Sequence, residues 1–170
     1  MILVGQYDSP FVRRVAISMH LLGVPFTRNT ISVFGNAEEM RRINPLGRIP
    51  SLMLDDGEII LDSIAILDHL DDVAGSARAL MPASGAERRK AWQIVSLASG
   101  AIEKAGAVVY ERVLRPADKQ FEPWVERCAL QRDTALAALE ALPQSPWLLG
   151  ARMTQADITV ACLMLSLIHI

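Results

Sequence analysis

Three short segments of the chain carry groups suited to chemistry, and each sits where one element gives way to the next. Ser9-Pro10 directly follows the apolar run Ile2–Gln6. Serine is a good helix N-cap, and proline suits the first helical position, where its missing N–H would have no partner anyway. A helix start gathers free N–H groups and partial positive charge, so an anion or a thiolate is stabilised there. On pattern alone the plainer reading of Ser9 is a cap. Asn44-Pro45-Leu46-Gly47-Arg48-Ile49-Pro50 is a dense turn leading into a strand. An Ile49-Pro50 bond in the cis form would aim the Ile49 backbone at a ligand instead of a neighbouring strand; a rigid surface turn is the alternative. Asp62-Ser63 follows the apolar run Ile59–Leu61 and opens a helix. The Ser63 hydroxyl and free amides there would take a carboxylate, and Asp62 an ammonium, although helix capping alone explains the pair as well. Together the segments describe a site for a peptide thiol.

The elements that must hold these segments follow from periodicity. Ser9–Leu22 has helical spacing, with Val12, Val15, Met19 and Leu22 on one side, and Gly23-Val24-Pro25 ends it. Phe26–Val33 reads as a strand, and Asn36-Ala37-Glu38-Glu39 as a capping box opening a short helix. Ile49–Leu54 and Glu58–Leu61 flank the hairpin signal Asp55-Asp56-Gly57, and Ser63–Val73 is helical again. Gly75–Gly85 reads as a linker. Beyond it Ala86–Arg115, Glu122–Leu142 and a run opened by a capping signature at Thr154–Asp157 are all helical. The fold class is therefore α/β plus all-α: a domain over 1–75, a linker over 76–85 and a helical domain over 86–170.

Composition narrows the function. The chain has 170 residues, 51% hydrophobic and 21% charged, with 17 basic and 19 acidic side chains. It is long enough to bury a core, chain-wide disorder is excluded, and a net charge of −2 gives no reason to expect nucleic acid. The cysteines Cys128 and Cys162 cannot make a disulfide framework or a metal knuckle. His20, His69 and His169 are too far apart for a short-spaced zinc motif, so no metal is expected. This cysteine usage fits a reducing, cytoplasmic setting. Met1–Tyr7 lacks a basic leader and Asp8 interrupts it, so no signal peptide is expected. The apolar run Ile158–Ile170 is shorter than the ~20 residues of a spanning helix and reads as a core helix, with no membrane partner.

Ser9-Pro10-Phe11-Val12-Arg13-Arg14-Val15, Asn44 to Leu52, Asp62-Ser63-Ile64-Ala65-Ile66 and Thr154-Gln155-Ala156-Asp157-Ile158-Thr159 together resemble the cytosolic glutathione transferase superfamily, in order and at family spacing. The resemblance implies a thioredoxin-like N-terminal domain followed by a helical C-terminal domain. It implies that Ser9 hydrogen-bonds the glutathione sulfur, as in serine-type, bacterial-like members. Ile49, before a cis Pro50, would pair with the cysteinyl part; Asp62 and Ser63 would hold the γ-glutamyl end; Arg48 would reach the glycyl carboxylate. Tyr7 is the rival sulfur donor, since other classes use a tyrosine at the end of this strand; Ser-Pro-Phe-Val-x-Arg favours Ser9. Arg13 and Arg14 read as fold anchors or solvated side chains.

By resemblance the protein is a transferase that presents glutathione as a thiolate to a small apolar electrophile lying between the domains against Ala86–Arg115. Glutathione is then a co-substrate, with no further cofactor, and a homodimer is implied. A glutathione-dependent peroxidase or dehalogenase is the alternative on the same site, and a non-catalytic ligand-binding or protein-interaction module the alternative without turnover. Two departures stand out. Asp62 occupies a position where the family usually has glutamate, which bears on affinity. The chain also stops inside the helix opened at Thr154, where family members commonly continue. Leu165-Ser166-Leu167-Ile168-His169-Ile170 resembles an in-frame translation of a sequencing-library adapter, so the natural gene is expected to depart after about Met164, leaving the helical domain incomplete.

Overall fold

The computed structural model describes residues 1–143 and 146–168. His169 and Ile170, part of the adapter-like end, lie outside the described residues. The chain divides into two compact units, Met1–Ala83 and Ser84–Ile170.

The first unit runs β1 (Ile2–Val4), α1 (Pro10–Leu22), β2 (Thr27–Asn29), α2 (Ala37–Ile43), β3 (Ser51–Met53), β4 (Ile59–Leu61) and α3 (Ser63–Ala74). The sheet order is β2-β1-β3-β4, with β1 and β2 parallel and the other pairs antiparallel. This is the thioredoxin-like arrangement that the resemblance implies. Side chains alternate between faces along a strand. Val4 therefore packs with Ile31 and Met40 of α2, while Leu3 and its partner Leu52 go to the opposite face, against which α1 and α3 pack. Every strand is short, so the junctions at the strand ends lie close to the centre of the sheet.

Two expectations are corrected. β2 covers only Thr27–Asn29 instead of Phe26–Val33. Beyond it Ile31 turns into the core, and Ser32 Oγ takes the N–H groups of Phe34 (3.3 Å) and Gly35 (3.1 Å), which ends the ladder. Asn36 precedes α2 without capping it, because its Oδ1 accepts the Ser32 N–H at 3.3 Å. The stretch after Gly75 is held to its own unit. The Asp71 carboxylate accepts the N–H groups of Leu80 (2.7 Å) and Met81 (2.9 Å), and Ala79, Leu80 and Met81 are buried.

The second unit contains α4 (Gly85–Val113), a 3₁₀ turn (Ala117–Lys119), α5 (Glu122–Glu140) and α6 (Gln155–Leu167). α4 packs on both α5 and α6. Its inner side carries Ala91, Ala98, Ala101 and Ala105 beside Ile94 and Val95, and these small side chains let the partner helices come close. Cys128 and Cys162 are buried, neither in a disulfide. No helix among the described residues is long and apolar enough to cross a membrane. The start of α6 is a full capping box: Thr154 Oγ1 accepts the Ala156 N–H, and Asp157 Oδ2 accepts the Thr154 N–H (2.8 Å) and hydroxyl (2.9 Å). Asp157 Oδ1 also takes the Leu148 N–H at 2.9 Å, tying the preceding loop to the helix.

Asp157→Ala removes the three hydrogen bonds to this carboxylate at once. A loss of about 2–3 kcal/mol is expected, read as a lower urea midpoint at unchanged slope. An unchanged midpoint would show that the loop and helix start hold without the carboxylate.

Candidate functional site

The site begins where β1 ends. Gly5 has φ +136°, and a Cβ built on it would lie 2.6 Å from Val12 Cγ2 and 3.0 Å from Ile49 Cβ. Only glycine lets the first turn of α1 and the loop before β3 close over the end of β1 together. Its N–H donates to Asn29 O at 2.8 Å, holding it to β2.

The chain then turns through Tyr7 and Asp8 into α1. Arg13 Nη1 donates to both carbonyl oxygens, at 2.6 Å and 3.2 Å, so an arginine of the helix braces the turn that leads into it. Ser9 is the N-cap and Pro10 the first helical residue. Ser9 Oγ accepts the Val12 N–H at 3.4 Å, and the Ser9 N–H is taken by Asp8 Oδ1 at 2.9 Å. Among the described residues nothing accepts the Ser9 hydroxyl proton or the Phe11 N–H. The helix start thus keeps two donors in hand. Asp8 is the nearest opposing charge by sequence, and its exposure to water screens it. The Tyr7 ring lies under the Arg28 guanidinium, 3.4 Å from its centroid. Arg28 belongs to β2, so the ring is engaged on the β2 side of β1, away from β3 and β4.

The second segment is braced from within. Asn44 is 2% exposed; its Nδ2 donates to Arg48 O at 2.8 Å and its Oδ1 accepts the Leu46 N–H at 3.0 Å. Gly47, at φ +61°, closes the turn by donating to Asn44 O at 2.8 Å. The Ile49-Pro50 bond is cis. β3 starts only at Ser51, and among the described residues the Ile49 N–H and C=O bond to nothing. A peptide backbone can therefore pair there. Arg48 is exposed and its guanidinium has no partner among the described residues.

Asp62 precedes α3 at φ +71°, a left-handed conformation that is strained for a residue with a Cβ. Its Oδ1 caps the helix by accepting the Ile64 N–H at 2.8 Å; the other oxygen is uncommitted and the residue is exposed. Ser63 is different. It is 1% exposed, and its Oγ accepts Arg14 Nη2 at 2.6 Å. At most the edge of that hydroxyl is open to a ligand.

Comparison with known proteins gives this arrangement its relatives. Residues 3–78 match the family model for the glutathione S-transferase N-terminal domain. The GST-like protein YibF of Escherichia coli (strain K12) is 30% identical over 160 residues, 94% of this chain and 78% of that protein. A glutathione transferase family member from Pseudomonas fluorescens Pf-5, solved with bound glutathione, superposes with a TM-score of 0.87 at 31% identity, covering 99% of this chain and 82% of that one. The chain belongs to the glutathione S-transferase family. The maleylacetoacetate isomerase of Pseudomonas aeruginosa is also similar, 26% identical over 164 residues, 92% of this chain and 76% of that protein.

In this family member, two contacts join the three segments: the crowding of Val12 and Ile49 over Gly5, and the hydrogen bond from Arg14 to Ser63. Ser9, Ile49, Pro50, Asp62 and Ser63 thus belong to connected junctions of one unit, with Arg48 beside them on the surface. Sequence reasoning missed Gly5, the bracing bonds of Asn44 and the partner of Arg14. Gly5 at a strand end was a readable signal, since glycine there marks a close backbone approach. Asn44 heading a turn was another. Arg14 gave none, because a buried cation depends on what the fold places opposite it.

Gly5→Ala is expected to cost about 2–4 kcal/mol, from a disfavoured φ and a methyl driven into Val12. Chemical denaturation measures it, and stability within error of wild type would show that the junction opens freely.

Proposed function

We propose that this family member binds glutathione along the three junctions and holds its sulfur as a thiolate at Ser9, for attack on an apolar electrophilic carbon. The observation that carries the reading is the Ser9 hydroxyl: its oxygen is fixed by the Val12 N–H while its proton is uncommitted. A free thiol titrates near ~8.5 and is little ionised at neutral pH; lowering that by about two units is worth roughly 2.7 kcal/mol. One hydroxyl donor, the spare Phe11 N–H and the positive end of α1 are together of that order. Ser9 is then a hydrogen-bond donor to sulfur, neither nucleophile nor base. Tyr7 is the weaker candidate, because its ring is engaged with Arg28.

In the same reading the Ile49 backbone pairs with the cysteinyl residue, and Pro50 fixes the turn that exposes it. Arg48 meets the glycyl carboxylate. The free oxygen of Asp62 takes the glutamyl ammonium, and the Ser63 hydroxyl edge takes the carboxylate beside it. Likeness to a maleylacetoacetate isomerase favours a second reading of the chemical step. There the thiolate adds to a conjugated cis double bond, the bond rotates, and the thiolate leaves, so glutathione is returned unchanged. Glutathione consumption separates the two: a transferase uses one molecule per turnover and an isomerase none.

Ser9→Ala is expected to bind glutathione within a few-fold of wild type and to lose about three- to twentyfold in turnover at pH 7, the upper figure where the hydroxyl carries nearly the whole shift. The sign follows from ionisation. Without the donor the bound thiol titrates higher, so the pH–rate midpoint moves up and the deficit shrinks above about pH 9. Tyr7→Phe is expected to leave the midpoint in place. Thiolate absorbance against pH in both variants checks this, and a shift in Tyr7→Phe alone would transfer the role to Tyr7.

A further inference from the structure

We propose that Arg14 is a positioning residue for the glutamyl carboxylate of glutathione, acting through the hydroxyl of Ser63. The inference rests on the glutathione-binding reading above. Arg14 lies on α1, is 1% exposed, and donates from Nη2 to Ser63 Oγ at 2.6 Å. Its guanidinium is charged at every relevant pH, and a hydrogen bond from a charged donor is roughly twice as strong as one between neutral groups.

That bond has two effects on Ser63. It pins one lone pair of the oxygen inward, so the hydroxyl proton must point elsewhere. It also draws electron density from the oxygen, which makes the proton a better donor to an anion. The hydroxyl is not needed for capping, because Asp62 Oδ1 already caps α3. With so little of Ser63 exposed, its orientation decides whether a ligand can use it at all. The cation behind the hydroxyl adds attraction for a carboxylate in front of it. Arg14 therefore selects for the carboxylate and is indifferent to the rest of the peptide, whereas a purely structural arginine would support every ligand alike.

The test compares glutathione with γ-aminobutyryl-cysteinylglycine, which keeps the amine and lacks only that carboxylate. Calorimetric Kd values are measured on the full chain for wild type, Arg14→Met, Arg14→Lys and Ser63→Ala. Wild type is expected to prefer glutathione. Arg14→Met is expected to weaken glutathione about tenfold and the analogue less than about twofold, Ser63→Ala to do the same, and Arg14→Lys to recover part of the preference. Equal losses for both ligands, or a wild type that binds them equally, would overturn the role of Arg14 while leaving glutathione binding intact. A wild type that binds neither would overturn both readings. If Arg14→Met does not fold, Arg14→Lys decides: a loss confined to glutathione supports the role, and an equal loss on both ligands removes it.

Discussion

The approach of α1 to the end of β1 governs the rest of this site. Helix starts that stabilise anions are common, but their effect falls off within a turn. Ser9 is useful only if its helix begins close to where a ligand backbone can lie. Val12 and Ile49 meet over Gly5 with no room for a side chain, so the donors of the helix start and the open backbone of Ile49 are drawn together at one strand end. Arg13 and Arg14 extend the arrangement in opposite directions. One reaches back to brace the turn before the helix, and the other reaches across to α3. A single helical turn thus organises both of its neighbours.

The same economy governs the backbone groups that are left open. Most of the loop amides and carbonyls around the site are consumed internally, by Asn44, Asp8 and the caps. Among the described residues, the Ile49 backbone, the Phe11 N–H and the Ser9 hydroxyl proton are among the groups that remain. Leaving polar groups unpaired is tolerable only where water or a ligand reaches them. Asp62 adds a local cost, since a side-chain-bearing residue is held at φ +71°. Such strain persists when neighbours over-determine it, here the cap to Ile64 and the anchored Ser63 one residue on.

Much of this was legible in the chain itself. The β-α-β-α-β-β-α order followed from periodicity and turn residues, and the capping box at Thr154 from residue types three apart. The segments around Ser9, Ile49 and Asp62 stood out because serine, proline and aspartate mark element boundaries, but local pattern alone gave caps and turns as well, and only the family resemblance joined them into one site. What stayed hidden was pairwise. Asn36 looked like a cap, yet its side chain serves Ser32. The stretch after Gly75 had a linker's composition, yet Asp71 ties it down. Arg14 read as a fold anchor or a solvated side chain, and nothing near it in the chain named Ser63 as its partner. In each case the deciding partner is set by the fold, and local spacing carries no trace of it.

The choice of oxygen over sulfur at the head of α1 has a consequence for durability. A thiol at a helix start is acidic, and therefore open to peroxide and to capture as a mixed disulfide. Serine climbs no such ladder. Both cysteines of the chain lie in the helical unit, buried. On the reading proposed above, an oxidant that consumes glutathione takes away the ligand and leaves the hydroxyl donor of Ser9 chemically unchanged.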